Sequence, residues 1–175
     1  AYYGVTPDLT ALCKGIASGY PISVLCGRQD LMQLTDPAGL GTSTYVAQTG
    51  TFSNNPISTS AALASINVLE REGTYEALFA KGNRLMHALD RIFDEAGIAV
   101  QICGEAPAFQ VWFSEDPIVD FRSMARADHA MNNRFTELLL DRGIVKAHEK
   151  FFISLAHSDE DLDYTVAAFE SAIGE

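Results

Sequence analysis

The chain has 175 residues, 47% of them apolar, and its 23 acidic against 12 basic residues give a formal net charge of -11. That length can bury a sizeable core, and the acidic balance argues against nucleic acid or an anionic membrane surface as a partner. The apolar runs are too short to span a bilayer, and the first residues lack the pattern of a signal peptide. We therefore expect a globular cytoplasmic protein without membrane contact.

The three cysteines, Cys13, Cys26 and Cys103, are odd in number and are not closely paired in the sequence. This spacing fits a reducing compartment and does not indicate a disulfide framework or a zinc site. We predict no metal site, and we expect the three thiols to be small buried apolar groups.

The first part of the chain predicts a strand, a helical turn, a loop and a helix. The run PISVLCG at 21–27 predicts a strand buried on both faces, and RQDLMQL at 28–34 predicts a helical turn. Residues 35–55 are rich in Gly, Thr, Ser and Asn, and they predict a long loop of the kind that carries function. Asn55 and Pro56 are typical of a helix start, so a helix should follow this loop.

The second part of the chain predicts an α+β unit. A helix capped by Thr74 should end at Gly97, because apolar residues recur between them at helical spacing. Ser158 and Asp161 have the spacing of a capping box and predict the start of a last helix. Between these helices the sequence predicts strands at 98–104, 108–113 and 150–157 and a helix at 127–142.

Lys14 stands among apolar and small residues in the stretch PDLTALCKGIASGYP, at 7–21. Removing an ammonium group from water costs on the order of several kcal/mol unless the charge is paired or neutralised. One interpretation is that the lysine stem lies over apolar surface with its charge in water. The other is that burial keeps the amine partly neutral, which makes it a nucleophile toward a carbonyl group.

The loop TGTFSNNP at 49–56 offers the donors of an anion site. Gly50, Thr51, Ser53 and Asn55 are available as donors directly before a predicted helix start, where the helix dipole favours an anion. A compound that carries both an aldehyde and a phosphate would use this loop together with Lys14. Pyridoxal phosphate is such a compound.

Three segments resemble the class III aminotransferases, which are pyridoxal-phosphate enzymes of fold type I. These are GVTPDLTALCKGIASGYPISVLCGR, QTGTFSNNPISTSAALAS and FFISLAHSDEDLDYTVAAFESAI, and they occur in the order in which the family has them. The resemblance is strongest to the branch that contains glutamate-1-semialdehyde 2,1-aminomutase and aminotransferases for β-amino acids and other amines.

The resemblance implies roles for four residues. Lys14 matches the lysine that binds pyridoxal phosphate covalently and moves the proton during catalysis. Thr51, with Gly50 as a companion, matches the threonine that binds the cofactor's phosphate in the neighbouring subunit, which implies a homodimer with shared active sites. Glu149, in HEKFFISLAH, matches a glutamate that lies toward the substrate channel. His148 and His157 are expected at the surface or in structural roles.

The chain also departs from the family pattern. Cys13, Ala17 and Ser18 stand where the family has glycines around the lysine, and Asn54 replaces a further glycine. The aspartate that pairs with the pyridine nitrogen in the family lies upstream of the lysine, so we expect the chain to be the C-terminal part of a longer enzyme. The resemblance implies an α/β fold: residues 1–70 end the large domain with its mainly parallel sheet, and residues 71–175 form a small α+β domain.

The function predicted from the sequence is therefore amino-group transfer with pyridoxal phosphate. The substrate class is an ω- or β-amino acid or an amino aldehyde, and aminomutase and aminotransferase activity share the motifs present here. The alternative is a catalytically incomplete fragment that acts only as a folding or dimerisation module.

Overall fold

The structure is a computed structural model that describes residues 3–175. The chain divides into two compact units, residues 1–71 and residues 72–175. The assignment of 1–70 to a large domain and of 71–175 to a small domain remains a prediction.

The first unit contains a two-stranded antiparallel sheet. Strand β1 (Leu9–Leu12) pairs with strand β2 (Val24–Gly27), and a 3₁₀ helix at Lys14–Ala17 follows β1 directly. At Gly27 a Cβ atom would overlap the Asp8 carbonyl oxygen, so only glycine allows this close approach of the two strands. The expectation of a strand buried on both faces was wrong for this segment. β2 has β1 as its partner, and three of its four residues are exposed, with only Val24 half-buried.

Two helices complete the first unit. The predicted helical turn is helix α1 (Gln29–Met32), and the predicted loop is mostly irregular from Asp36 to Asn55 apart from one short 3₁₀ turn. Helix α2 (Pro56–Leu69) begins where the sequence predicts it. The Asn55 side-chain oxygen accepts the N–H groups of Ile57 and Ser58 at 2.9 and 3.4 Å, which caps the first turn.

The second unit is a three-stranded antiparallel sheet with helices. Its order along the chain is α3 (Thr74–Glu95), β3 (Val100–Glu105), β4 (Ala108–Phe113), α4 (Phe121–Met124), α5 (His129–Asp141), β5 (Phe151–Phe152) and α6 (Asp159–Ile173). The sheet has the order β3-β4-β5. The strand predicted at 150–157 is limited to two residues, because only Phe151 and Phe152 find partners on β4.

The core of the second unit is aromatic. Phe93 on α3 contacts Phe113 and Phe135 edge to face, with ring centroids 5.4 Å apart in each pair. Phe151 and Phe169 lie 5.7 Å apart in the same way, so the sheet and the helices α3, α5 and α6 share one core. Fully burying such side chains stabilises a fold by about 1.5–3 kcal/mol each, which makes this cluster the main source of stability in the unit.

The helix ends follow the predicted caps with one exception. Ser158 and Asp161 form the predicted capping box, in which the Asp161 carboxylate accepts the Ser158 N–H at 2.7 Å. The prediction that Thr74 caps α3 was wrong. Gly73 is the cap residue, because its φ of 79° suits glycine, and Thr74 is the first residue of the helix.

The cysteines differ from expectation in their exposure. Cys13 and Cys26 are exposed and Cys103 is half-buried, so the expected burial was wrong for the first two. Both lie in the first unit, which buries few residues. Within residues 3–175, no helix is at once long and apolar enough to cross a membrane.

Candidate active site

Two short strands lead the chain into and away from the segment that carries Lys14. The Arg28 guanidinium donates to the Asp8 carboxylate at 2.8 Å, and the Arg28 N–H donates to the Asp8 carbonyl oxygen at 2.9 Å. A second carboxylate, that of Asp30, accepts from the same guanidinium at 2.6 Å. These contacts fix one end of the β1–β2 pair, and Lys14 lies just beyond the other end.

Lys14 has a backbone conformation that residues with a side chain rarely adopt. Its φ is 57°, and it begins the 3₁₀ helix directly after the extended residue Cys13. A left-handed conformation costs a residue other than glycine about 1–2 kcal/mol. Strain of this kind is concentrated at active sites and ligand clamps. The backbone therefore marks Lys14 as a candidate functional residue independently of its amine.

The Lys14 side chain is exposed, and within residues 3–175 its ammonium has no hydrogen bond or ion pair. The burial considered from the sequence is therefore not supplied by this part of the chain. Cys13 and Gly15 on either side are exposed as well, and only Ala17 of the 3₁₀ helix is buried. Within the described residues the Lys14 ammonium is therefore open to solvent and unpaired.

The 3₁₀ helix is held against helix α2. Ala17 is completely buried, and the hydroxyls of Ser18 and Ser65 lie 3.0 Å apart. Ser18 has a φ of 47°, at a position where the family pattern has glycine. Helix α2 thus links the Lys14 segment to the loop that precedes it, which carries Gly50 and Thr51.

The loop before α2 forms a tight turn at 50–54. The Ser53 N–H donates to the Gly50 carbonyl oxygen at 3.0 Å, and the Asn55 N–H donates to the Phe52 carbonyl oxygen at 3.2 Å. A Cβ atom on Gly50 would lie 2.9 Å from the Ser53 hydroxyl, so the turn has no room for a side chain there. Asn54 has a φ of 58°, and asparagine is one of the few residues that tolerates this conformation.

Thr51 keeps its donors available. Within the described residues its N–H and hydroxyl have no partner, and its side chain is exposed. The first free N–H groups of α2, in contrast, are used by Asn55. An anion at this turn would therefore be bound by Thr51 and not by the helix end. An unpaired amine at Lys14 and an unpaired donor pair at Thr51 fit a ligand with a carbonyl and a phosphate.

Glu149 belongs to the second unit, whereas Lys14, Gly50 and Thr51 belong to the first. It is exposed and lines a cavity of about 360 Å³ together with Trp112, His129 and His148. The rings of Trp112 and His129 meet edge to face with centroids 5.8 Å apart. Asn132 lies on the same cavity, and its side-chain oxygen accepts from the buried Gln110 amide at 3.0 Å.

Sequence reasoning missed this cavity. Its lining comes from strand β4, from the segment of helices α4 and α5, and from residues 148 and 149. No local pattern links three segments so far apart in the sequence, because the pairing of β5 with β4 and the packing of α5 on β4 bring them together.

The sequence places His148 and His157 at the surface or in structural roles, and His148 is exposed. His157 has a structural contact, because its Nδ1 accepts the Ser154 N–H at 3.3 Å.

Comparison with known proteins identifies the family. The sequence model of the class III aminotransferases matches residues 1–173. A glutamate-1-semialdehyde 2,1-aminomutase from Natranaerobius thermophilus is 35% identical over 178 residues and covers 100% of this chain and 40% of that protein. The protein of the same name from Desulforudis audaxviator is 39% identical over 173 residues and covers 97% of this chain and 39% of that protein.

A solved structure of an aminotransferase also matches the fold of this chain. The β-phenylalanine aminotransferase of Variovorax paradoxus superposes with a TM-score of 0.87 at 29% identity, covering 99% of this chain and 40% of that one. The fold is thus the α/β fold of the fold type I transaminases, as the sequence predicts. The chain belongs to the class III aminotransferase family. It spans about 40% of the length of the curated relatives that it matches.

Proposed function

We propose that these residues belong to an enzyme that transfers amino groups with pyridoxal phosphate. The observation that carries the proposal is the free, exposed amine of Lys14 on a left-handed backbone, in a chain that matches the class III aminotransferases over residues 1–173. Backbone strain at an unpaired nucleophile lowers stability, so it indicates a role of that residue in chemistry.

Lys14, Thr51 and Gly50 would each contribute to binding the cofactor. Lys14 would bind its aldehyde carbon and hold or move a proton at Nζ, and Thr51 would donate its N–H and hydroxyl to the phosphate. Gly50 would allow the turn to come close to the phosphate, because no side chain intervenes there. The bound cofactor supplies an electron sink for the substrate's α-carbon.

The test uses the full-length protein. Incubation with pyridoxal phosphate should give visible absorbance, and borohydride reduction should place a pyridoxyl group on Lys14 in the peptide map. Lys14→Ala and Lys14→Arg should both lose the label and the activity, because guanidinium stays protonated and does not react with the aldehyde. Lys150→Ala, which removes another exposed lysine, should keep both. A cofactor-free folding or dimerisation module would give neither absorbance nor label, and that result would overturn the proposal.

The substrate would be an ω- or β-amino acid or an amino aldehyde, and the reaction either transamination or an aminomutase exchange. Glu149 supports a substrate role because its carboxylate is exposed on a cavity with two aromatic rings. Glu149→Gln should raise KM for the amino substrate while leaving the borohydride label on Lys14 unchanged. An unchanged KM would remove Glu149 from the proposal.

The assembly would be a homodimer in the cytoplasm. Thr51 has donors that no residue within 3–175 uses, which supports a phosphate held across a subunit interface. Cys13 and Cys26 are exposed free thiols, which are kept reduced in the cytoplasm.

A further inference from the structure

The segment that carries Lys14 is attached to helix α2 by a hydrogen bond between two serines. The 3₁₀ helix at Lys14–Ala17 packs against α2, where Ala62 is buried and Ser65, on the same face of the helix, is half-buried. Directly after the fully buried Ala17, the hydroxyl of Ser18 lies 3.0 Å from that of Ser65. Ser18 is thus the residue through which this segment reaches a polar group of α2.

The direction of this hydrogen bond follows from a second one. The Ser65 hydroxyl donates to the carbonyl oxygen of Ala61, one turn earlier in α2, at 3.0 Å. A serine hydroxyl has a single hydrogen to donate and two lone pairs that accept. Ser18 is therefore the donor and Ser65 the acceptor between the two hydroxyls. Through Ser65, the Ser18 side chain is connected to the backbone of a regular helix.

Ser18 has a backbone conformation that suits glycine. Its φ and ψ are 47° and 45°, and its N–H donates to the Gly15 carbonyl oxygen at 3.3 Å, which closes the 3₁₀ helix. Glycine adopts such angles without strain, but it has no hydroxyl. The serine at this position therefore adds backbone strain together with a hydrogen bond to α2 that glycine cannot make.

The place of the Lys14 amine depends on this short helix. Lys14 is the first of its four residues, and Ser18 follows the last. Within residues 3–175 the ammonium has no hydrogen bond or ion pair that would hold it. The hydrogen bonds of a 3₁₀ helix have poor geometry, so a single turn needs support from its neighbours. The buried Ala17 and the bond from Ser18 to Ser65 provide such support.

We propose that Ser18 and Ser65 are positioning residues for Lys14, which hold its amine where it meets the aldehyde carbon of the cofactor. The inference rests on the proposed function, because it concerns the bond that Lys14 would form. In that bond Nζ adds to the aldehyde carbon, and the aldehyde oxygen leaves as water with two hydrogens from Nζ. Neither serine contacts the cofactor: Ser65 holds Ser18, and Ser18 holds the end of the 3₁₀ helix.

The test compares two ligands on the full-length protein. Pyridoxal phosphate can form the bond to Lys14, whereas pyridoxine phosphate has the same ring and phosphate with an alcohol in place of the aldehyde. The ratio of their affinities therefore measures what the bond to Lys14 contributes. Visible absorbance follows the binding of pyridoxal phosphate, and competition against it gives the affinity of pyridoxine phosphate.

Ser65→Ala should lower this affinity ratio about three- to ten-fold, which is the effect of losing one hydrogen bond. The loss should come from weaker binding of pyridoxal phosphate, with the affinity for pyridoxine phosphate unchanged. Ser65→Thr keeps a hydroxyl and should keep the ratio. Ser60→Ala, which removes an exposed hydroxyl from the same helix, is the matched control and should also keep it. Near-UV circular dichroism checks that each variant folds.

A double-mutant cycle shows whether Ser65 acts through Ser18. Ser18→Gly removes the same hydrogen bond together with the backbone strain, so adding Ser65→Ala to it should not change the affinity ratio further. An equal fall in both backgrounds would overturn the proposal. So would an unchanged ratio in Ser65→Ala alone, or equal losses for the two ligands, which would indicate a general effect on the fold. If the unchanged protein itself gives no visible absorbance with pyridoxal phosphate, the proposed function fails and this inference fails with it.

Discussion

Residues other than glycine with left-handed backbone angles lie, within the described residues, only in the segments around the candidate active site. Lys14, Ser18 and Asn54 have φ values of 57°, 47° and 58°. The family pattern has glycine at the positions of Ser18 and Asn54, so the backbone geometry is kept although the residue has changed. A serine or asparagine can occupy such a conformation at a cost, whereas Lys14 has its conformation at the position where an amine is needed.

The titration of Lys146 should be visible in the stability of the protein. Burial lowers its pKa from 10.5 to about 8, so between these values the unfolded chain binds more protons than the folded one. Stability contributed by this position therefore rises with pH over that window, and the penalty for the buried charge is complete below it. Lys146→Met, which keeps the length of the side chain without the charge, should remove this rise.

Urea unfolding of both proteins from pH 7 to pH 10.5 measures the effect. We expect Lys146→Met to be the more stable protein near pH 7 and the difference to shrink as the pH rises from about 8 toward 10.5. A difference that stays constant with pH would show that the amine is not desolvated in the folded protein.

Gly82 is required where helix α3 passes the turn between β3 and β4. A Cβ atom on Gly82 would overlap the carbonyl oxygen of Ala106, which belongs to the backbone and cannot move aside as a side chain could. Replacing glycine by alanine in a helix usually gains about 1 kcal/mol. Here the overlap reverses the sign, and Gly82→Ala should destabilise the protein by about 1–3 kcal/mol, as overpacking does.

Asn83→Ala is the matched control for this prediction. Asn83 is exposed on the next position of the same helix, so alanine there should be neutral or slightly stabilising. The midpoints of thermal unfolding compare the two variants with the unchanged chain. A Gly82→Ala protein as stable as Asn83→Ala would mean that the helix can shift away from the turn at little cost.

The elements that the sequence predicts well are those with local signals. Asn55 before Pro56 places the start of α2, and the pair Ser158 and Asp161 places the start of α6, because each cap is made within one helical turn. The strand predicted at 150–157 depends instead on pairing with β4, which lies about 40 residues away in the chain and supplies partners only for Phe151 and Phe152. The Glu149 cavity has the same long-range origin.

In the candidate site, too, some features are predicted from the sequence and others are not. Lys14 and Thr51 are found from the sequence because carbonyl and phosphate chemistry requires their residue types in local motifs. The left-handed φ of Lys14 and the packing of Ser18 on Ser65 are not found, since neither follows from a motif. The sequence also does not predict that the Thr51 donors are unpaired, because this depends on Asn55, and not Thr51, capping α2.

The two units differ in how much apolar surface they bury. Within the described residues, all members of the main hydrophobic cluster lie in 72–175, whereas the buried apolar residues of 3–71 are Ala17 and Ala62. Residues 72–175 alone should therefore fold cooperatively. The single tryptophan, Trp112, reports on this unit by its fluorescence. Urea midpoints that agree between residues 72–175 and the 175-residue chain would support the prediction, and a broad transition in the shorter chain would contradict it.

The role of Thr51 determines how the full-length protein assembles its active sites. If the Thr51 N–H and hydroxyl bind the phosphate of a cofactor held by the other subunit, each active site is shared across a two-fold interface. Losing one charge-assisted hydrogen bond to a phosphate costs roughly 1.5–3 kcal/mol, or on the order of ten to a hundred fold in affinity. Thr51→Val should weaken cofactor binding by this amount while keeping the activity at saturating cofactor.

A mixed dimer shows in which subunit Thr51 acts. One subunit carries Thr51→Val and the other carries Lys14→Ala, so the hybrid has a single site with an intact Lys14. If Thr51 acts across the interface, that site receives its threonine from the Lys14→Ala subunit and should bind pyridoxal phosphate with the affinity of the unchanged protein. If Thr51 acts within its own subunit, the same site has both Lys14 and the valine, and its affinity should equal that of the Thr51→Val homodimer. Titrating the borohydride-reducible label on Lys14 against cofactor concentration distinguishes the two, and the second result would exclude a shared site.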